Sequence, residues 1–179
     1  LRAFAYREDF VPTNVDTHTY IFLADVLTQS PTGQPPAGWP SSPVNNQVLD
    51  YGMDPDIVND AQWDVEAALT AIPTMSMVTD MDNLFGSSNG IYVNAQKEGP
   101  NWERPVSLEL IYPPDASGPG FPDGADGGFQ VEAGARIRGG FSTDDSRKNP
   151  KHSFRLYFRA EYGDAKLKYP LFGDEGVDE

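Results

Sequence analysis

Residues 129–172 read FQVEAGARIRGGFSTDDSRKNPKHSFRLYFRAEYGDAKLKYPLF and carry the strand signals that decide the fold. In FQVEAGARIR (129–138) apolar or small residues alternate with polar, charged or glycine residues, which is the period-two pattern of a half-buried β-strand. VSLELIY (106–112) alternates in the same way. Further strands are predicted at 74–79, 90–94 and 153–160. The pattern predicts an antiparallel sheet.

The same stretch reverses the sign of the charge. Nine of the 13 Lys and Arg residues lie between Arg136 and Lys168, against four acids, so this window is about +5 in a chain of net charge −14. Such a reversal favours a surface that meets an anion. The alternative is a pair of strands whose basic face forms ion pairs with the protein's own acids. Composition leaves both interpretations open.

The fold class follows from composition and from the placement of turns. With 179 residues and 39% hydrophobic content the chain can bury a core, and its 17 glycines and 16 prolines favour a loop-rich β architecture. Asp54-Pro55 is typical of a helix start, and a second helix is predicted at 60–71. The sequence therefore predicts a mostly β, α+β protein with one or two short helices.

Several classes of function are excluded or disfavoured. The chain has no cysteine and two histidines, which excludes disulfides and disfavours a zinc site. The pattern G-x-S-x-G occurs once, as GSSNG at 86–90, where it is more simply a turn, and no run of 18 apolar residues occurs. A serine hydrolase of that type and membrane insertion are therefore not expected. The pI near 4.3 argues against nucleic acid as a partner.

Three segments are predicted. Residues 1–27 contain two strand signals and would be the end of an upstream β-sandwich module. Residues 28–49 are rich in proline and form a linker, with Trp39 as an apolar anchor. Residues 50–179 form the main domain. We expect a piece of a longer, secreted or cell-surface modular protein, whose neighbouring modules are its first partners.

Two acidic turns are candidate calcium sites. Asp123 and Asp126 lie three apart in a glycine-rich run, and Asp80 and Asp82 lie two apart. Calcium takes six to eight oxygen ligands, which such loops supply, although the run with Asp123 and Asp126 lacks the spacing and the closing Glu of an EF-hand loop. The alternative is a pair of solvated turns that use Asp and Gly for backbone reasons.

Paired carboxylates are a further candidate chemistry, because hydrolysis by general acid and base needs two acids at a set separation. Four glutamates lie in or beside predicted strands, and any two could face each other across a sheet: Glu103, Glu109, Glu132 and Glu161. Together with the acidic turns they indicate an alternative function, a calcium-dependent hydrolase of a small ester, lactone or sugar.

The basic residues are the third candidate site. Arg136 and Arg138 share one face of a predicted strand, and Arg155 and Arg159 are predicted to share a face of the last strand. A glycine-rich turn at 139–142 lies between them, so backbone N–H groups and cations could together meet a phosphate. Neither a Walker loop nor a G-x-G-x-x-G fingerprint is present.

The basic window resembles the CotH family of spore-coat-protein-H-like proteins. The resemblance is carried by IRGGFS (137–142), by NPKHSFRL (149–156) and by YPLFGD (169–174), with weaker similarity in IPTMSMVT (72–79) and GIYVN (90–94). It covers about residues 50–179. Residues 1–23 separately resemble the last strands of chitobiase C-terminal-like β-sandwich modules.

The resemblance implies the N-terminal part of an atypical protein-kinase-like fold that uses ATP and a divalent metal such as magnesium to phosphorylate proteins. It implies Lys151 as the phosphate-contacting lysine, supported by Arg138 and Arg155. The family's catalytic and metal-binding aspartates are expected beyond Glu179, so the fragment is expected to be inactive alone. The GGFS turn departs from the family's commoner Gly-Asn-Ser form. A third hypothesis is a noncatalytic module that binds a carbohydrate or an anion.

Overall fold

The computed structural model describes residues 1–13, 15–113, 128–139 and 152–171. Its central element is an antiparallel sheet with the strand order β3-β4-β5-β6. The four strands are β3 (Thr74–Val78), β4 (Arg104–Ile111), β5 (Phe129–Arg138) and β6 (Ser153–Tyr157). The mostly β, α+β class predicted from the sequence is confirmed. The kinase-like relationship stays a prediction.

The two faces of the sheet differ as the alternation predicts. Register pairs Leu108 with Val131 and Val106 with Ala133 on one face, and Val106, Leu108, Ala133 and Ala135 form the buried core cluster. Leu108 is 1% exposed. The opposite face of β5 carries Glu132, Gly134 and the arginines, because successive side chains of a strand point to opposite sides. The core therefore lies on one side of the sheet and the charged residues on the other.

An N-terminal segment lies over one end of the polar face. Short strands β1 (Arg2–Ala3) and β2 (Asp16–Thr17) pair with each other. The Thr19 backbone N–H donates to Glu109 Oε2 at 2.7 Å, and the Thr19 and Ser76 hydroxyls lie 2.7 Å apart. The Gln130 side-chain amide donates to the Thr17 carbonyl. These contacts leave the β5–β6 end of this face as the part that carries the arginines.

Four short α-helices occur in the described residues, more than the one or two predicted: α1 (Leu23–Leu27), α2 (Pro55–Val58), α3 (Val65–Thr70) and α4 (Met81–Phe85). A 3₁₀ turn covers Pro100–Trp102. Asp54 caps α2 through the Asp56 N–H, as the Asp-Pro pair predicts. Within the part of the chain described, no helix is long and apolar enough to cross a membrane.

Three sequence-based boundaries are wrong. Residues 90–94 form turns rather than a strand, because the N–H groups of Gly90, Ile91 and Tyr92 donate to carbonyls in the 83–86 segment. The predicted helix at 60–71 is confined to α3, and the last strand ends at Tyr157. Arg159 therefore lies beyond β6, and strand alternation does not place its side chain.

Candidate anion-binding site

Arginines meet on the polar face where β5 and β6 pair. In the register of these strands Arg136 lies directly opposite Arg155, and Arg138 lies opposite Ser153. Directly opposed residues have Cβ atoms about 4.5–5.5 Å apart, and diagonal ones about 7–8 Å. Like charges at that separation repel each other. The sheet therefore concentrates positive charge that needs either an internal acid or an external anion.

Glu103 supplies the internal acid for two of the arginines. Its Oε2 accepts from Arg136 Nε at 2.8 Å and from Arg136 Nη2 at 2.5 Å, and its Oε1 accepts from Arg159 Nε at 2.9 Å. The Glu103 side chain is only 5% exposed, and that of Arg136 15%. The interpretation of the basic face as internally paired is thus correct for Arg136 and Arg159.

The pKa values reflect this arrangement. Burial acts to raise the pKa of Glu103, but hydrogen bonds from Arg159, Arg136 and Tyr162 outweigh it and hold that pKa below its usual range. Burial, with the hydrogen bond to Glu103, raises the pKa of Tyr162 to about 12. Glu103 is therefore ionised and Tyr162 protonated at neutral pH.

Local sequence places Glu103 against the sheet. The 3₁₀ turn at Pro100–Trp102 ends at Glu103, where the backbone becomes extended. Gly134 gives the side chain its space, because a Cβ at that position would lie 2.6 Å from Glu103 Cγ. The Tyr157 ring, opposite Gly134 in register, lies 4.1 Å from the Arg136 guanidinium carbon and 4.9 Å from that of Arg159. Cation–π contacts thus hold both guanidinium groups.

A cleft of about 200 Å³ lies beside this cluster. Its walls include the aromatic side chains of Trp102 and Tyr157 and the backbone of Gly139. Four cations and one acid line it: Lys97, Arg136, Arg138, Arg155 and Glu98. The volume is below the roughly 300–1,000 Å³ of clefts that enclose whole drug-sized ligands. It suits a compact group such as a phosphate.

Arg138 and Arg155 differ from Arg136 in their pairing. Both are exposed, and across residues 1–13, 15–113, 128–139 and 152–171 no ion pair joins either of them to a carboxylate. Lys97 and Glu98 have interactions of their own. The two arginines that the sequence singled out for phosphate therefore line one cleft, and neither is paired with a carboxylate among the residues that the structure describes.

The other predicted site residues divide in two groups. Lys151, Asp123 and Asp126 lie outside the described residues. Asp80 pairs with Arg2 at 2.9 Å and precedes α4, whose first turn contains Asp82. Among the residues that the structure describes, no group of three or more His, Asp or Glu side chains could hold a metal ion. The calcium site stays a prediction.

The four glutamates considered for hydrolysis have different surroundings. Glu103 is held by arginines, and Glu109 accepts from Thr19. In the described registers Glu109 lies opposite Gln130 and Ser76, while Glu132 lies opposite Ser107. Glu161 is 3.9 Å from Arg159. No pair of them is directly opposed across the described strands, although Glu109 and Glu132 are diagonal neighbours on the polar face.

Comparison with known proteins adds no relative. The chain matches no protein-family model, no curated protein and no solved structure. The resemblance to the CotH family therefore stays a prediction from the quoted motifs, and the cleft is interpreted from its own geometry.

Sequence reasoning missed part of the site. Trp102 and Lys97 reach the cleft from the segment before β4, between 34 and 58 residues from the arginines of the cleft in sequence, so no local pattern connects them. Tyr157 does carry a signal, because it lies two residues after Arg155 and so shares its face of a strand. The role of Glu103 was not foreseen, because its partners belong to other segments.

Proposed function

We propose that this chain binds a phosphate-bearing anion in the cleft between β5, β6 and the 97–102 segment, as the anion-holding part of a CotH-like protein. The observation that carries the proposal is the meeting of Arg138 and Arg155 in one cleft without a described carboxylate partner. Guanidinium groups bind phosphate oxygens through paired N–H donors, which a point charge cannot match.

The surroundings of the two arginines support the same ligand class. Glu103 pairs with both Arg136 and Arg159, so one of the two positive charges in this cluster is offset and one remains. Arg138 and Arg155 share the cleft with Trp102 and Tyr157, so an anion bound there would contact protein on more than one side. Gly139 at the cleft adds backbone without a side chain, which allows close approach.

Binding of an anion and transfer of a phosphoryl group need different residues. Among its described lining residues the cleft has one acid, Glu98, and no aspartate. Transfer would need a residue that positions the acceptor and acids that hold a metal ion. We therefore propose that the chain alone binds ATP, or a simpler phosphate, without transferring phosphate. The calcium-dependent hydrolase and the carbohydrate-binding module stay predictions that no observed contact favours.

The test compares charge reversals inside the cleft with a charge reversal at an exposed arginine elsewhere on the chain. Arg138→Glu with Arg155→Glu should weaken ATP or pyrophosphate binding, measured by calorimetry, by at least about tenfold, because each lost charge-assisted contact contributes about 1.5–3 kcal/mol. The control is Arg7→Glu, an exposed arginine that stacks on Phe10. Affinity should also fall as salt rises.

Two outcomes would overturn the proposal. One is an affinity for ATP or pyrophosphate that is the same in the double variant, in Arg7→Glu and in the unaltered chain. The other is the absence of any binding of pyrophosphate, ATP or phosphate by the unaltered chain at low salt. Incubation with ATP and magnesium tests the proposal that the chain alone does not transfer phosphate. Phosphorylation of the chain or of an added protein would contradict it.

A further inference from the structure

A second cleft, of about 590 Å³, lies on the other side of the sheet. Its floor includes Met77 of β3 and Phe154 of β6, whose side chains belong to the core face, and its wall is the irregular segment 39–51. The predicted linker anchor, Trp39, lies at this wall. The volume falls within the roughly 300–1,000 Å³ typical of small-molecule sites.

Aromatic rings dominate the lining, and they stand at large angles to one another. Trp39 packs against Tyr51 with ring centroids 5.8 Å apart at 81°, and against Phe85 at 5.7 Å and 63°. Tyr92 continues the series toward Phe154 at 6.0 Å. The Tyr51 hydroxyl donates to the Pro40 carbonyl at 2.9 Å, which fixes that ring. The rings are therefore held in place without a ligand.

One charged group accompanies these rings. Among the described residues that line the cleft, Asp50 is the only Asp, Glu, Lys or Arg. Its Oδ1 accepts from the Gly52 N–H at 3.0 Å, which orients the carboxylate on the chain. The cleft thus combines an aromatic interior with one fixed negative charge.

This combination discriminates among ligand classes. An anion would be repelled by Asp50, and a sugar would find few groups for its hydroxyls, because the lining is largely apolar. A neutral apolar molecule would fit the rings but gain nothing from the carboxylate. An organic cation with an apolar body uses both, since ring faces attract a cation and the carboxylate pairs with it.

We propose that this cleft binds a small organic monocation with an apolar body, such as an arylalkylammonium or alkylammonium ion. The Asp50 carboxylate pairs with the ammonium group, and the rings around Trp39 enclose the apolar part. The site lies on the opposite face of the sheet from Arg138 and Arg155, so it does not depend on the phosphate proposal.

Three probes of nearly equal size and different charge test this: phenethylammonium, 2-phenylethanol and 3-phenylpropanoate. We expect the ammonium ion to bind about fivefold or more tightly than the alcohol, from one charge pair near the surface, and the carboxylate to bind most weakly. Calorimetry gives the affinities, and chemical-shift changes in the indole N–H of Trp39 locate the site.

Substitutions in the cleft distinguish the contribution of the Asp50 charge to binding from that of the Trp39 ring. Asp50→Asn keeps the acceptor for the Gly52 N–H and should make the ammonium ion and the alcohol bind equally. Asp56→Asn, the same charge change in the first turn of α2, should leave the preference intact. Trp39→Ala should weaken both probes, with circular dichroism to confirm the fold.

Three results would each overturn the proposal: equal binding of all three probes to the unaltered chain, no binding of the ammonium ion, or a preference that survives Asp50→Asn. Arg138→Glu should not change the affinity for the ammonium ion. Loss of phosphate binding alone in that variant would distinguish the two sites.

Discussion

Replacement of Glu103 by Gln should destabilise the protein, because this acid is nearly buried and holds two arginines. Glu103 is 5% exposed and accepts from Arg136 and Arg159, whose side chains are 15% and 42% exposed. Removal of one partner from a buried pair costs about 3–5 kcal/mol. Solvent around Arg159 screens its ion pair with Glu103. We therefore expect Glu103→Gln to lower the free energy of unfolding by about 3 kcal/mol, at the lower end of that range.

Urea unfolding followed by circular dichroism measures this loss. For a chain of 150–250 residues, about 3 kcal/mol corresponds to a fall in Tm of roughly 6–12 °C. Glu161→Gln is the matched control, because this acid is 66% exposed and lies 3.9 Å from Arg159; we expect a change within about 0.5 kcal/mol. Equal stability of the two variants would refute the reasoning.

The pH dependence gives an independent check. The folded pKa of Glu103 lies below its ordinary value of 4.5, so its ionised form is favoured by folding. Its contribution to the free energy of unfolding is therefore fully present above the ordinary pKa and is lost as the pH falls through the folded pKa. The difference between the unaltered chain and Glu103→Gln should shrink as acid is added below about pH 4.5. A difference that grows with acid would contradict the assignment.

Two further changes test the sheet. Gly134→Ala should cost about 1–3 kcal/mol, because its Cβ would meet Glu103 at 2.6 Å; the cost should be smaller in a Glu103→Ala background, and an equal cost in both would contradict the contact. Leu108→Ala, at a position 1% exposed, should lower the free energy of unfolding by about 2–5 kcal/mol. Val11→Ala, at 94% exposure, is its control and should change stability by less than about 0.5 kcal/mol; a Leu108→Ala value equal to it would contradict the core placement.

The prediction of β4 and β5 succeeded because strand alternation is local. FQVEAGARIR places its apolar residues on one face whatever the strand pairs with, and the structure has β5 at Phe129–Arg138 as predicted. GIYVN failed for a physical reason: its composition suits a strand, but nearby carbonyls at 83–86 satisfy its N–H groups first. Local propensity could not reveal that competition.

By itself the sequence determined the β-rich class, the helix start at Asp54-Pro55 and the concentration of cations near the end of the chain. The tertiary structure decided what those cations do. Arg136 and Arg138 have the same chemistry and share one face of one strand, yet Glu103 approaches Arg136 and leaves Arg138 exposed. Pairing with an acid depends on contacts between residues distant in sequence, and only the folded chain places those residues side by side.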